Sequence, residues 1–411
     1  MRFGIDEGAV TQKPKLPEDT SAASATSSLR SDDVAKPGTH IRFSPLKDQH
    51  MPADYSISLE EYRRGGTKEF LGKEPEHLAT QAMRGFDDKY KNIVDYIVRI
   101  THQIWEEKDI GCIYDTYSHD CRVWDDVGLQ YGRDKIVEDT VHTNNAIPDI
   151  RLIADEVIWA GNDDVSFHTS HRTMIMGTNT GYSRFGPPTN RPLRLFCIAN
   201  CVVRDNEIYD EHVAYDTAAL IQQMGFDVGE VARQIASQRP QGPFAPNFAA
   251  SEPKRLAGQA FPKRYPIPDI VDGNIRDFVN AAFESIWNRR NFAAMDQVYE
   301  PDVVFEGSTS RVYRGVGQMR SHVLSMIAMF PNIRIAVDDI YWMGNAKDGY
   351  LVSIRWGGVG AHRGNGPYGE PTGKEAHIWG ITQWHIHNNK VQKEWTVFNE
   401  FGVLMQILGD T

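Results

Sequence analysis

Apolar residues first recur at helical spacing and then alternate, and this change of period happens twice along the chain. Ile93, Tyr96, Ile97, Ile100 and Ile104 share one helical face, and their counterparts beyond Gly273 do the same. A short helix is predicted after Asp109 and after Asn291, a strand over 121–127 and over 303–305, and a further helix after Gly132 and Gly315. Four longer strands then close the first stretch, over 151–159, 166–176, 193–203 and 208–215. The pairs Asp205-Asn206 and Asn388-Asn389 fall between the last two strands, where Asn and Asp tolerate a tight hairpin turn. Helices followed by antiparallel strands predict an α+β fold, a curved antiparallel sheet wrapped on helices. Such a cone has an open mouth and offers a ligand pocket.

Comparing the chain with itself explains the double change of period. Lys91-Asn-Ile-Val-Asp-Tyr-Ile, running to Trp105, mirrors Gly273-Asn-Ile-Arg-Asp-Phe-Val, running to Trp287, at a shift of 182 residues. After one inserted residue the shift is 183 and holds. Pro148-Asp-Ile-Arg answers Pro331-Asn-Ile-Arg, and Val157-Ile-Trp-Ala-Gly-Asn answers Ile340-Tyr-Trp-Met-Gly-Asn. A unit this long is a duplicated domain rather than a solenoid repeat. The expected organisation is an N-terminal extension over 1–83, copy one over 84–235, a Pro-rich linker over 236–268 and copy two over 269–411. Residues 10–40 of the extension are too polar to offset their ordering entropy. Scattered apolar residues between Ile41 and Leu78 leave two alternatives, disorder or an arm wrapped along a domain or a second subunit.

Composition narrows the partners. The chain has 411 residues, with 44 Lys and Arg against 55 Asp and Glu, a net charge of -11. That balance speaks against nucleic acid and anionic membrane, whose phosphates call for clustered cations. No apolar run is long enough to span a bilayer, so no membrane association is expected. The four cysteines, Cys112, Cys121, Cys197 and Cys201, form no Cys-x-x-Cys pair and read as reduced core residues, with a cytoplasmic location.

The closing segment of each copy carries a resemblance. Asn389-Lys-Val-Gln-Lys-Glu-Trp-Thr-Val-Phe-Asn-Glu-Phe-Gly-Val-Leu-Met-Gln resembles the last strand and helix of the SnoaL-like branch of the nuclear transport factor 2-like superfamily. Copy one shows the same tail in Asn206-Glu-Ile-Tyr-Asp-Glu-His-Val-Ala-Tyr-Asp and Leu220-Ile-Gln-Gln-Met-Gly. The resemblance implies tandem cones of the polyketide cyclase and ketosteroid isomerase type, working without a cofactor. It says little about the reaction, because the fold hosts cyclases, isomerases, lyases and plain binders. The acid/base Asp of the polyketide cyclases falls on Val213 and Thr396, neither of which can move a proton. Two residues earlier both copies hold a carboxylate, Glu211 and Glu394, which a strand period of two places on the same, concave face. The ketosteroid isomerase base lies five residues after the Asp of a Tyr-x-x-Asp motif. Tyr117-Ser-His-Asp-Cys-Arg-Val-Trp-Asp puts Asp125 there, where copy two has Gly307.

These residues form the candidate site. Desolvation in an apolar cone raises a carboxyl pKa toward a useful range, so Asp125, Glu211 and Glu394 are candidate acid/base groups, with a loop-starting Asp125 as the alternative. Arg172 and Arg355, repeated at the same offset, are taken as substrate contacts that could each pair with Glu211 and Glu394. His168 and His171 lie three apart and must face opposite ways on a strand; His168 is taken as a catalytic candidate and His212 as a substrate contact. His377, His385 and His387 share one face with Trp379. His377 is the acid/base candidate there, Trp379 and Trp395 line the wall, and His385 and His387 are expected in solvent. No third ligand accompanies the His-x-His pair, so no metal and no cofactor are assigned. The glycines between Gly364 and Gly373 precede no helix and carry no Lys-Ser/Thr, and so read as loops rather than a phosphate cradle.

Two function classes follow. One is a cofactor-independent lyase, isomerase or cyclase acting on a small aromatic or polyketide-like molecule. The other is a ligand-binding or dimerisation scaffold without catalysis. A homodimer is expected, or a pairing of the two copies with each other.

Overall fold

The computed structural model describes residues 46–63, 78–238, 254–256, 266–271 and 273–409. The first 45 residues of the expected extension and most of the expected linker lie outside the described residues.

Each copy opens with a helix whose apolar stripe is buried. In copy one this is α2 (Ile93–Trp105), after the one-turn α1 (Leu59–Arg63). The Asn92 side chain caps α2 by accepting from the Asp95 amide at 2.8 Å. Ile93, Ile97, Ile100 and Ile104 are buried, as their spacing requires. The sheet follows as β1 (Tyr117–Asp125), β2 (Gly128–Tyr131), β3 (Arg151–Asn162), β4 (Ser166–Thr178), β5 (Pro192–Arg204) and β6 (Glu207–Tyr215). Copy two repeats it as β7 (Tyr299–Gly307), β8 (Arg311–Arg314), β9 (Arg334–Asn345), β10 (Gly349–Ala361), β11 (Glu375–His387) and β12 (Lys390–Phe398). The first strand of each sheet starts four residues earlier than the sequence suggested.

Both sheets have the same order, β2-β1-β6-β5-β4-β3 and β8-β7-β12-β11-β10-β9. They are mixed rather than wholly antiparallel, because β1 runs parallel to β6 and β7 parallel to β12. The Asn and Asp hairpins sit where predicted, with Asp205, Asn206, Asn388 and Asn389 all at positive φ.

One irregularity decides which side chains face the cone. Beyond the β11–β12 turn, His387 pairs with Lys390 and Ile386 with Val391, but His385 then pairs with Lys393 and Trp384 with Glu394. One extra residue, Gln392, has entered β12. The same bulge recurs between β5 and β6, where Val203 pairs with Ile208 and Val202 with Asp210. A one-residue bulge interrupts the alternation along its strand, so every later residue shares a face with a different partner from the one an unbulged hairpin would give it.

The two sheets pack against each other through their outer faces. Ile198 and Ala214 of copy one meet Trp379, Ile381 and Val397 of copy two in one apolar cluster. Gln383 donates across the interface to the Ser170 carbonyl at 3.0 Å. The contact is pseudo-symmetric: Glu156 and Asp339, equivalent in the repeat, each receive a histidine of the opposite copy. His385 lies 3.4 Å from Glu156, and His168 lies 3.8 Å from Asp339. The face expected for dimer pairing is therefore occupied within one chain.

The described part of the N-terminal extension crosses both copies. The Trp159 indole donates to the Ile57 carbonyl at 2.7 Å, and Tyr55 donates to the Gly349 carbonyl at 2.6 Å. Leu59 and Tyr62 are buried in the core of copy one.

Candidate active site

Strand parity and the bulge together assign each side chain to a face. In copy one Phe167, Thr169, His171, Thr173 and Ile175 of β4 face inward, level with Val203, Cys201, Ala199, Cys197 and Leu195 of β5. Cys201 is in turn level with Glu211, Ala199 with Val213, and Cys197 with Tyr215. Val123 on β1 is level with Glu211, and Asp125, two residues on, looks the same way. The concave face of copy one therefore carries Asp125, Glu211, His171 and Tyr215. Phe167 is buried in the core of copy one, and His168 reaches copy two.

Glu211 is buried, and among the described residues its carboxylate has a single hydrogen bond, from the Tyr117 hydroxyl at 2.9 Å. Desolvation pushes its carboxyl up to about 7; the Tyr117 bond opposes that rise and the nearby Asp210 charge adds to it. His171 is 3% exposed, and its Nε2 has no hydrogen-bond partner among the described residues. Desolvation, aided by Arg172, holds its ring down to about 3, so it is neutral at every physiological pH. Asp125 is also raised by desolvation, partly countered by Arg184. Its Oδ1 accepts from the Val127 and Gly128 amides at 2.8 and 3.1 Å, so it starts the β1–β2 turn as well as facing the cone. The thiols of Cys197 and Cys201 are buried and raised by desolvation, and so are inert as nucleophiles.

Copy two carries the same carboxylate in a different setting. Glu394 accepts from Tyr299 at 2.9 Å, from the Trp384 indole at 2.8 Å and from Thr396 at 2.8 Å. Thr396 exchanges a hydrogen bond with Thr382 at 2.8 Å, and Thr382 accepts from the Trp356 indole at 3.0 Å. Trp384 is 2% exposed and packs against Phe278, Phe283 and Tyr299. At the repeat offset, copy one replaces Trp356, Thr382, Trp384 and Thr396 with Thr173, Ala199, Cys201 and Val213, and keeps only the tyrosine. Two indoles and two of the three hydrogen bonds to the carboxylate are gone.

Several expected site residues fall elsewhere. Arg172 and Arg355 do not pair with Glu211 and Glu394, because they point from the outer face. Arg172 bonds Asp155 at 2.8 Å and lies over the Trp395 ring, while Arg355 reaches Asp338 at 3.4 Å. His377, Trp379 and Trp395 do share one face, but it is the outer one, and the bulge in β12 is the reason. His377 is nevertheless buried, with its ring held down to about 3 by desolvation and Arg255. His168 and His212 are likewise on the outer face; His212 stacks on Trp124 and meets Trp379 edge-on. His385, expected in solvent, is held by Glu156 and Trp395. Tyr215 and Arg184 carry no expectation from the sequence, and His171 and Tyr117 enter there only for strand parity and for the Tyr-x-x-Asp spacing, not as site residues. His171 was recoverable from parity once the concave face of β4 was fixed.

An α+β cone with a buried, pKa-shifted carboxylate on its concave face is the class that fold and site define together. Residues 278–407 match the family model of the SnoaL-like polyketide cyclases, so the family signature lies on copy two. No curated protein matches the sequence of this chain. Among solved structures the chain is similar to a candidate polyketide cyclase from Acidithiobacillus ferrooxidans, at 18% identity over 34% of this chain and 96% of that one, with a TM-score of 0.29. A candidate SnoaL-like polyketide cyclase from Jannaschia matches at 16% identity over 36% of this chain and 99% of that one, with a TM-score of 0.30. A protein with a ketosteroid isomerase-like fold from Catenulispora acidiphila matches at 15% identity over 30% of this chain and 88% of that one, with a TM-score of 0.26. Among the described residues no helix is long and apolar enough to cross a membrane, and no cluster of His, Cys, Asp or Glu is arranged to hold a metal ion.

Proposed function

We propose that the protein is a cofactor-independent acid/base enzyme of the cyclase or isomerase type. Its substrate is a small aromatic or polyketide-like carbonyl compound, and its working site is the concave face of copy one. The observation that carries this reading is Glu211. It keeps the position of a structural carboxylate in copy two, but it has lost two of that carboxylate's three partners and has a pKa of about 7. A carboxylate with that pKa is matched to take a proton from carbon next to a carbonyl near neutral pH. Tyr117 holds Glu211 in place. The neutral His171 ring supplies an N–H to the oxygen on which charge develops, as a neutral imidazole does in other proton-abstracting enzymes. Glu211, now protonated, returns the proton at a second carbon. Asp125, two residues beyond the position level with Glu211 on the same face, is a second carboxyl whose other task is the turn.

The alternative, a scaffold without catalysis, is favoured by copy two: indoles fill its cone and Thr396 stands where the family holds its acid/base Asp. A combination accommodates both, with copy two as the scaffold and copy one as the working cone. The test is turnover of a panel of aromatic and polyketide-like ketones by the metal-stripped chain, alongside Glu211→Gln and Glu394→Gln. Loss in Glu211→Gln alone supports the proposal. Equal activity in the two variants, or ligand binding without turnover on any substrate, moves the assignment to the scaffold.

A further inference from the structure

The contact between the two sheets is apolar and closed at Ile198, Ala214, Trp379, Ile381 and Val397. It opens beside that cluster into a cavity of about 200 Å³. That is room for about seven water molecules at ~30 Å³ each, or for one small metabolite. The walls are charged and polar, and they come from both copies: Arg122, His168 and Asn200 from one, and Asp339, Tyr341 and Arg355 from the other.

Several of these groups are incompletely used. Arg355 commits Nη1 to Asp338 at 3.4 Å, and its other nitrogens make no hydrogen bond among the described residues. Asp339 faces His168 across the interface, with Oδ2 3.8 Å from Nδ1. The other ring nitrogen, Nε2, is buried and has no hydrogen-bond partner among the described residues. Asn200 donates to Ser353 at 3.2 Å, and its Oδ1 is likewise unpartnered. Such atoms are rare in folded proteins and cost stability unless something bonds them. Asp210 and His212 also line the cavity, but Asp210 is engaged by Arg122 at 2.5 Å and by His212 at 3.1 Å. The wall thus offers the Arg355 guanidinium to an anion, and the Asp339 carboxylate with the free Asn200 oxygen to an N–H donor.

Spacing selects the ligand. Arg355 and Asp339 are direct cross-strand neighbours on β10 and β9, so their Cα atoms lie about 5 Å apart. They are not paired with each other, since Arg355 turns to Asp338 and Asp339 to His168. A cation and an anion this close match one molecule that carries both opposite charges on adjacent carbons. We propose that the interdomain cavity binds a free α-amino acid, with its carboxylate on Arg355 and its ammonium group between Asp339, His168 and Asn200. The proposal is independent of the assignment of the copy-one cone, because none of these residues faces it.

Isothermal titration of the full chain tests it, using the free amino acids together with succinate and ethylamine as carboxylate-only and amine-only probes. At least one amino acid should bind saturably, and neither half-probe should match it. Arg355→Gln and Asp339→Asn should each weaken that binding by at least about tenfold, the loss expected for one charge-assisted hydrogen bond. Asn200→Ala, which leaves every ion pair intact, serves as the second probe of the site if either charge variant melts early. The proposal is overturned if no amino acid saturates, if succinate or ethylamine binds as well, or if the folded variants bind like the parent.

Discussion

The two cones share a topology, a bulge, a tyrosine and a glutamate, and they differ in what surrounds that glutamate. In copy two, Trp384 and Trp356 fill the concave face, and Glu394 accepts from three donors. In copy one, Cys201 and Thr173 stand in their place, His171 replaces Ile354, and Glu211 keeps one donor among the described residues. Burial raises both carboxyls, but only Glu211 is left with so few partners. A buried carboxylate with its full set of donors contributes to structure; the same group with most of them missing is the one to which the proposed function assigns proton transfer. The family model matches the copy whose concave face carries the indoles.

Exchanging features between the cones is the direct way to break this comparison. The largest expected effect is on turnover: Glu211→Gln lowers kcat by about 100-fold or more, the range of a lost general base, while Glu394→Gln leaves kcat near the parent value. Steady-state assays on any active substrate read it, and equal losses would erase the distinction. Next is the indole plug. Trp384→Cys gives copy two the residue of copy one and should cost ~3–5 kcal/mol in urea denaturation, as for other large-to-small core changes. A cost below about 1 kcal/mol would mean that copy two is not packed around that ring.

The pH dependence of stability is smaller but carries a sign. Glu211 titrates near 7 in the fold against about 4.5 when exposed, so its charged form is disfavoured by folding. Its burden is absent at low pH and fully present above about 7. Glu211→Gln should therefore raise stability at pH 8 by roughly 3 kcal/mol and change little at pH 4. His171, held at about 3 against 6.5, has the opposite limb: stability falls as pH drops from about 6.5 toward 3, and His171→Gln flattens that fall. Urea titrations across pH 4–8 separate the two, and a pH-independent Glu211→Gln difference would exclude the shifted carboxyl. The smallest effect comes from the shared tyrosine. Tyr299→Phe should cost ~1 kcal/mol, since Glu394 keeps two donors. Tyr117→Phe removes the only bond that lowers the Glu211 pKa, so the midpoint of its rate profile moves to higher pH.

Much of this was legible in the chain. A constant offset between separated anchors revealed the duplication. Strand parity correctly set Glu211 on the side of Val213 and put His168 and His171 on opposite faces. What parity could not supply was the absolute face. His377, Trp379, His385 and Glu394 would share a face in an unbulged hairpin, and Gln392 separates Glu394 from the rest. The Arg172–Glu211 and Arg355–Glu394 pairs failed for the related reason that the two partners of each pair sit on opposite sides of one sheet.

The sequence by itself determined the duplicated α+β architecture, the order of elements and the relative side of each strand residue, because these follow from local periodicity and self-similarity. The tertiary structure decided which side is the inside, that the two copies close on each other, and which carboxylate keeps its indole partner. Those outcomes depend on a one-residue bulge and on packing between segments far apart in the chain, where Trp384 and Cys201 are neighbours of the same carboxylate position but leave it different chemistry.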